Sequence, residues 1–373
     1  MWSRHAELAL DNAGERGTQA EARWLSSTGL VYEDSGAPDE ARPLYERALA
    51  IREASLGADH PETAHSLYDL GYLRFNAGDY RSARAVHERV VAAWERAYGP
   101  DHPHVAMALS TLGNTYSVVG EYAAARPLQE RSLAIAEQAL GPDHPSVGSS
   151  LTNLGIVLVN LGAHAEARAA FQRSLAIREA RLGPDSFEVA DALCTLADVD
   201  YRTGAYGPAM AAALRARAVY ERALGPGHRS VANALLLIGN IHARAGEVEL
   251  ARPLYERART IVEATLGPEH PDVVEVLVAL AELDLAAGRA GAALPLLERA
   301  ATLADAHAGT TYDEFEAHFA LARALVATRG DRERALAEAG AARDGFRALG
   351  PGKARQLADV ERWLAEQASA RAP

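Results

Sequence analysis

The sequence predicts an all-α fold, an α-solenoid of about eight helix–turn–helix units closed by a C-terminal capping helix. Three observations predict it. Glycine recurs at 36, 78, 120, 162, 204, 246, 288 and 330, every 42 residues and without insertion. A second glycine column runs 57, 99, 141, 183, 225, 267 and 309 at the same spacing. Between the columns lie two stretches of helical periodicity. Self-similarity at a fixed period of this size is the mark of stacked repeats.

The elements follow in chain order. Residues 4–14 are expected to form a short helix, so that 1–18 caps the array. Thr18 with Glu21 reads as a capping box opening the first full repeat. Helix A of each repeat carries an apolar face, as in Val105, Leu109, Leu112 and Tyr116, spaced 4, 3 and 4. Beside that face small residues recur: Gly29, Gly71, Gly113, Gly155, Ala197, Gly239 and Ala281. Glycine inside a helix costs up to about 1 kcal/mol, and close approach of a second helix explains the choice. Helix B follows the first glycine column, with Ala125, Leu128, Ser132 and Ile135 on one face. It has its own alanine column at 41, 83, 125, 167, 209, 251, 293 and 335.

Turn chemistry accounts for the loops. The second-column glycine is expected at the left-handed C′ position that ends helix B. Asp or Thr is then expected to cap the next helix A, with Glu three residues on: Asp59 and Glu62, Asp185 and Glu188, Thr311 and Glu314. Proline fits the first turn, where its missing N–H is no loss. The first helix A falls near 19–34 and the last helix B near 331–347, so the eight repeats occupy 19–350. A final helix at 353–369 carries Leu357, Val360 and Leu364 and covers the open face of the last repeat, making 351–373 a C-terminal cap and tail. The whole chain then reads as one array, against the two or three domains that 373 residues suggest by length.

Composition narrows the function. The chain holds 50 acidic and 38 basic residues, a formal charge of −12. That balance argues against nucleic acid and against anionic membranes as partners. No apolar run is long enough to span a bilayer, and Met1-Trp2-Ser3-Arg4-His5 has no apolar segment of a secretory signal, so a cytoplasmic location is expected. Lys353 is the only lysine; arginine in its place, with abundant alanine, points to a GC-rich, bacterial source. One cysteine, Cys194, excludes a disulfide framework and a Cys-rich zinc site.

The repeat text resembles a known family. Leu140-Gly141-Pro142-Asp143-His144-Pro145 recurs around the second glycine column, at 56–61, 98–103 and 266–271 with single changes. Arg42-Pro43-Leu44-Tyr45-Glu46-Arg47-Ala48-Leu49 and Arg252-Pro253-Leu254-Tyr255-Glu256-Arg257-Ala258 recur in helix B. These resemble tetratricopeptide repeats, in the 42-residue form of kinesin light chains, over roughly 19–347. The resemblance implies a protein-binding array whose helices A line a concave groove. Three departures stand out. Ser186-Phe187 replaces His-Pro in the fifth repeat, and Gly227-His228-Arg229 enters the sixth. Arg323 takes the small-residue position in the eighth.

Catalytic signals are wanting, and the expectation is a non-enzyme without cofactor or metal. There is no phosphate-binding loop, no His-Glu-x-x-His and no Gly-x-Ser-x-Gly. His60, His102, His144, His228 and His270 sit in the repeated loop, but stacked helices lie roughly 8–10 Å apart, whereas metal ligands converge within about 2.1 Å of the ion. Cys194 has no base beside it in sequence and reads as a packing residue.

Binding is therefore sought on helices A, opposite the packing stripe. That register places Asn76, Asn114, Ser117, Asn153, Asn160, Asn233 and Asn240 there, joined by Asp198, Arg202 and Arg244. Asn76 and Asn160 share one column through Val118; Arg202 and Arg244 are again 42 apart. Asparagine is a mediocre helix former, and its amide can pair with any peptide backbone. Tyr68, Tyr72 and Phe75 are candidate apolar pockets, and the arginine pair a candidate site for an acidic group. The plainer alternative is that these asparagines bond between helices or face water. The expected function is a scaffold that holds a protein or peptide segment in the groove. A second reading is a regulatory or inhibitory subunit of a signalling enzyme (a caspase-like protease, a kinase or a STAND-type ATPase) that contacts it by the convex face or the ends. A receptor for a small signalling peptide is a third. Oligomeric state is left open, since Trp2 and the apolar residues of 4–14 could cap the array or pair with a second copy.

Overall fold

The computed structural model describes residues 17–35, 37–306, 312–350 and 353–369. The expected 4–14 helix, Gly36, Gly309 and Thr311 lie outside them. Among the described residues all regular structure is helical, in seventeen helices. Helices A are α1 (Gln19–Asp34), α3 (Pro61–Asn76), α5 (Pro103–Val118), α7 (Pro145–Asn160), α9 (Phe187–Arg202), α11 (Arg229–Arg244), α13 (Asp272–Ala286) and α15 (Tyr312–Ala327). Helices B are α2 (Pro38–Leu56), α4 (Tyr80–Tyr98), α6 (Tyr122–Leu140), α8 (His164–Leu182), α10 (Tyr206–Leu224), α12 (Val248–Leu266), α14 (Ala290–Ala306) and α16 (Arg332–Ala348). The last helix, α17 (Ala354–Ser369), buries Val360 fully and lays Leu357, Trp363 and Leu364 against the core. The helix pairs make an all-α solenoid. Two compact bodies are distinguished, Met1–Val157 and Leu158–Pro373.

Glycine and histidine divide the loop chemistry differently from the sequence expectation. The left-handed C′ residue belongs to the first glycine column, between helix A and helix B. After α3, the Gly78 N–H bonds the Phe75 carbonyl and the Asp79 N–H bonds the Arg74 carbonyl, with Gly78 at φ 80°. That pair of bonds is a Schellman motif. The second-column glycines instead stand as the C-cap itself: Gly57 has φ 90° and ψ 162°, and its N–H closes on the Glu53 carbonyl. A Cβ would be strained in that conformation.

The cap of helix A is also displaced by one residue. The imidazole Nδ1 of His60 accepts the Glu62 N–H at 3.1 Å. His102, His144, His228 and His270 do the same for the residue two further on, each at 3.2 Å. Ser186 caps α9 through the Val189 N–H. Asp59 and Asp185, expected as caps, reach across to Arg96 and Arg222. An N-cap acceptor is worth about 1 kcal/mol, and asparagine serves as well as any residue there. Chemical denaturation of His228→Ala is expected to show a loss of that size, with His228→Asn close to wild type.

The small-residue column makes the close approach expected of it. Gly29 lies under Tyr45, Gly71 under His87, Gly113 under Gln129 and Gly239 under Tyr255, so a Cβ would come within 2.6, 2.7, 2.6 and 2.4 Å of those side chains. Where alanine fills the column, the residue sixteen positions on is Ala213 opposite Ala197 and Leu297 opposite Ala281, all fully buried. In the eighth repeat the arrangement reverses. Arg323 leaves the core to pair with Glu282 at 2.7 Å, and the glycine moves to helix B: a Cβ on Gly345 would meet the Phe315 ring at 2.3 Å. Helix α15 also ends one residue early against the period, so Arg329 rather than Gly330 takes the positive φ, at 55°.

An arginine column braces successive helices B. Arg131, Arg215, Arg257 and Arg299 each pair with a glutamate 36 residues earlier: Glu95, Glu179, Glu221 and Glu263. Each also donates to the carbonyl of a loop proline 31 residues earlier, Pro100, Pro184, Pro226 or Pro268. The carbonyl after the C-cap glycine thus gains a donor that no helix could supply. Arg131 and Arg257 belong to the recurring helix-B text, and the spacing to glutamate is the signal that sequence reading missed.

Candidate functional site

The candidate face is built on helices A, because helices B carry the arginine braces. In the 1–157 body, neighbouring helices A touch through polar side chains about one repeat apart. Asn76 Nδ2 donates to Glu33 Oε1 at 3.0 Å, Asn153 Nδ2 donates to Ser110 Oγ at 3.0 Å, and the Tyr68 and Thr111 hydroxyls lie 3.1 Å apart. A residue thus bonds one some 43 positions away, a repeat plus one. Asn76 and Asn153 therefore serve in interhelical bonds, the plainer of the two sequence readings.

Other asparagines are bound to their own repeat. Asn114 Oδ1 accepts from Gln129 Nε2 at 2.9 Å, and Asn240 Oδ1 accepts from the Tyr255 hydroxyl at 2.6 Å. Asn160 is half-buried at the end of α7. Asn233 is exposed, in a shallow cleft with His228, Arg229, Ser230, Thr265 and Leu266. The Ser117 hydroxyl folds back on the Gly113 carbonyl at 2.8 Å.

The aromatic trio separates. Tyr68 is half-buried and stacked on Trp94, with ring centroids 5.5 Å apart, and burial raises its phenol pKa. Phe75 is half-buried against Tyr80, edge to face at 5.4 Å. Tyr72 alone is exposed, at 45%. Its column supplies residues that sequence reading did not single out: Leu30 one repeat before and Ile156 two repeats after, both exposed. Met107 and Val118 on α5 are exposed as well. The 42-residue spacing of Leu30, Tyr72, Asn114 and Ile156 was the available signal.

In the 158–373 body the same column is polar, with Asp198, Asn240 and Glu282. Arg202 donates to Asp198 at 2.7 Å, one turn away, and Arg323 pairs with Glu282. Arg244 is exposed and donates to the Tyr206 hydroxyl at 3.4 Å. The two expected anion-binding arginines thus differ: Arg202 shares its charge with a carboxylate, and Arg244 touches a neutral phenol.

The titratable groups near these faces are tuned by burial. Asp69, on α3 beside Tyr68, has its carboxyl pushed up to about 6 by desolvation, with Arg52 pulling the other way. The Cys194 thiol is raised to about 12, first by burial, and the Tyr220 phenol beside it is raised too. A thiol so held carries no thiolate at neutral pH and is a poor nucleophile. Among the described residues no three His, Cys, Asp or Glu side chains are gathered as a metal requires, and no helix is long and apolar enough to cross a membrane.

The tetratricopeptide repeat family model matches six overlapping stretches, 20–95, 70–138, 105–180, 153–222, 188–258 and 230–306. The chain belongs to the tetratricopeptide repeat family. Solved repeat arrays are similar to it in fold. Nearly identical repeats of kinesin light chain kind from Podosopora anserina share 24% identity and a TM-score of 0.50, over 55% of this chain and 96% of that one. BtubC (BKLC) from P. vanneervenii shares 20% identity and a TM-score of 0.52, over 62% and 92%. A tetratricopeptide repeat protein from Parabacteroides merdae shares 14% identity and a TM-score of 0.57, over 82% and 99%. No curated protein matches. The repeats are of the kinesin light chain kind, and tetratricopeptide arrays in general are non-catalytic and mediate contacts between proteins.

Proposed function

We propose that the chain is a non-catalytic scaffold that holds an extended protein segment along the faces of its helices A. The observation that carries this reading is the exposed column Leu30, Tyr72 and Ile156, spaced in whole repeats on one side of the 1–157 body, with Asn114 between them. An exposed Leu or Ile alone means little. Apolar side chains on α1, α3 and α7, with the Asn114 amide between them, suit a strand-like ligand of varied sequence. In the 158–373 body the same column is polar, with Asp198, Asn240 and Glu282.

Affinity capture from the source organism tests it with paired variants. Tyr72→Ala with Asn114→Ala is expected to release the captured partner, lowering affinity at least tenfold without loss of helicity. Leu214→Ser with Leu250→Ser, exposed on helices B, is expected to leave it bound. The reverse pattern would transfer the interface to helices B and overturn the proposal.

A further inference from the structure

Asn114 and Asn240 do not turn freely. Gln129 is fully buried on α6 and donates from Nε2 to two oxygens, the Ser110 carbonyl at 3.0 Å and Asn114 Oδ1 at 2.9 Å. A backbone carbonyl can only accept, so the end of Gln129 that faces Ser110 is its NH2. The same NH2 faces Asn114, which must answer with its oxygen. The Asn114 amide nitrogen is thereby turned to the outer side. Gln129 reaches this far because Gly113 leaves the path open: a Cβ there would lie 2.6 Å from Gln129 Nε2. In the 158–373 body Tyr255 takes the same route over Gly239 and donates its hydroxyl to Asn240 Oδ1 at 2.6 Å. The two pairs have the same separation, fifteen residues from asparagine to its holder.

We infer that Gln129 and Tyr255 are positioning residues that fix Asn114 and Asn240 with their NH2 groups outward, so that the binding face demands a hydrogen-bond acceptor at those two points, and at Asn114 a peptide backbone carbonyl. The inference rests on the proposed function above and narrows it. An unconstrained asparagine offers a donor and an acceptor at will; these two offer donors alone. Around Asn114 the same helix exposes Met107 and Val118, and the column exposes Tyr72 and Ile156. None of these is a cation, so a ligand carboxylate would lack a counter-charge there, whereas a neutral carbonyl needs none. The donor is independent of the ligand's side chains, and the apolar neighbours supply what sequence preference there is.

The orientation is tested without a ligand. The chain has seven asparagines, so 15N-asparagine labelling gives seven side-chain NH2 pairs. The Asn114 and Asn240 protons are expected to exchange rapidly with water while each pair keeps its own dispersed shifts. Gln129→Met should move the Asn114 pair alone, and Tyr255→Phe the Asn240 pair alone. Exchange-protected NH2 protons, or shifts unmoved by these variants, would overturn the orientation. The binding role is tested with a displayed library of random 15-residue peptides, the tightest wild-type binder being synthesised. Asn114→Asp keeps the shape and the inward oxygen but turns the outward donor into an acceptor. It should lower affinity for that peptide at least tenfold, and more than Asn114→Ala does. Gln129→Met should lower it several-fold at a temperature where both proteins are fully folded. Tolerance of Asn114→Asp would overturn the inference while leaving groove binding standing. A wild-type chain that selects no peptide would overturn the proposed function and the binding role of the pair together.

Discussion

Gly239→Ala is expected to destabilise the chain by about 2 kcal/mol, although alanine is the better helix former. The added Cβ would lie 2.4 Å from Tyr255 Cε1 and 2.8 Å from Cδ1. The ring is 2% exposed and its hydroxyl is tied to Asn240, so it cannot swing aside without losing packing and a hydrogen bond. Overpacking costs about 1–3 kcal/mol and a lost bond about 1 kcal/mol, against a gain in helix propensity of at most about 1 kcal/mol. Tyr255→Ala alone should cost about 3–5 kcal/mol, as large aromatic truncations do. The double variant recreates the Ala197 and Ala213 pair of the preceding repeat, where both residues are fully buried. Its cost should fall short of the sum by about 1 kcal/mol or more, well beyond the few tenths by which independent sites deviate. Urea denaturation of the four proteins reads this coupling, and simple additivity would show that the glycine is there for another reason.

That pairing shows which parts of the architecture were legible and why. Period, helix count and the need for a small residue in helix A are local facts, written into every repeat. What fills the gap is not local. Tyr45, His87, Gln129, Phe171, Ala213, Tyr255 and Leu297 share one helix-B column yet differ in size and chemistry. Only the structure shows that glycine faces Tyr45, His87, Gln129 and Tyr255, and alanine Ala213 and Leu297. The loop caps failed for a related reason. Asp59 has the usual capping chemistry, but the chain enters α3 one residue later, where His60 Nδ1 can accept and Asp59 is left to meet Arg96.

The candidate face was legible as a face and not as a set of contacts. Helical register placed the asparagines on the exposed side of helices A, as found for Asn233. It could not say that Asn76 and Asn153 reach into the next repeat, because a repeat-plus-one contact depends on how helices A lean on each other. Leu30 and Ile156 were passed over because apolar residues on a helix are read as core by default. Their exposure comes from lying on the side that helix B leaves uncovered.

The largest pH effect is expected in the 1–157 body, where His87 lies almost fully buried between α3 and α5. Its Nδ1 lies 3.0 Å from the Thr115 hydroxyl, whose own proton goes to the Thr111 carbonyl. Thr115 therefore accepts, His87 Nδ1 donates, and the neutral ring keeps its lone pair on Nε2. That atom is buried without a partner beside Gly71. Protonation would put an unsolvated charge there, and burial accordingly lowers the imidazole pKa from 6.5 to about 4. Between those values the unfolded chain binds the proton and the folded chain does not, so stability falls as the pH is lowered. The contribution is fully present above pH 6.5 and lost by about pH 4; at roughly 1.4 kcal/mol per tenfold change in proton affinity it amounts to about 3 kcal/mol. His65 and His104, both lowered first by burial, act in the same direction, and the raised Asp69 carboxyl acts against them. His87→Gln isolates the one term, since Gln129 already occupies the equivalent place one repeat on. Denaturation of wild type and variant at pH 7, 5.5 and 4 should show the variant gaining on wild type by about 3 kcal/mol as the solution is acidified. Parallel pH profiles would mean that the buried imidazole takes up its proton in the folded state.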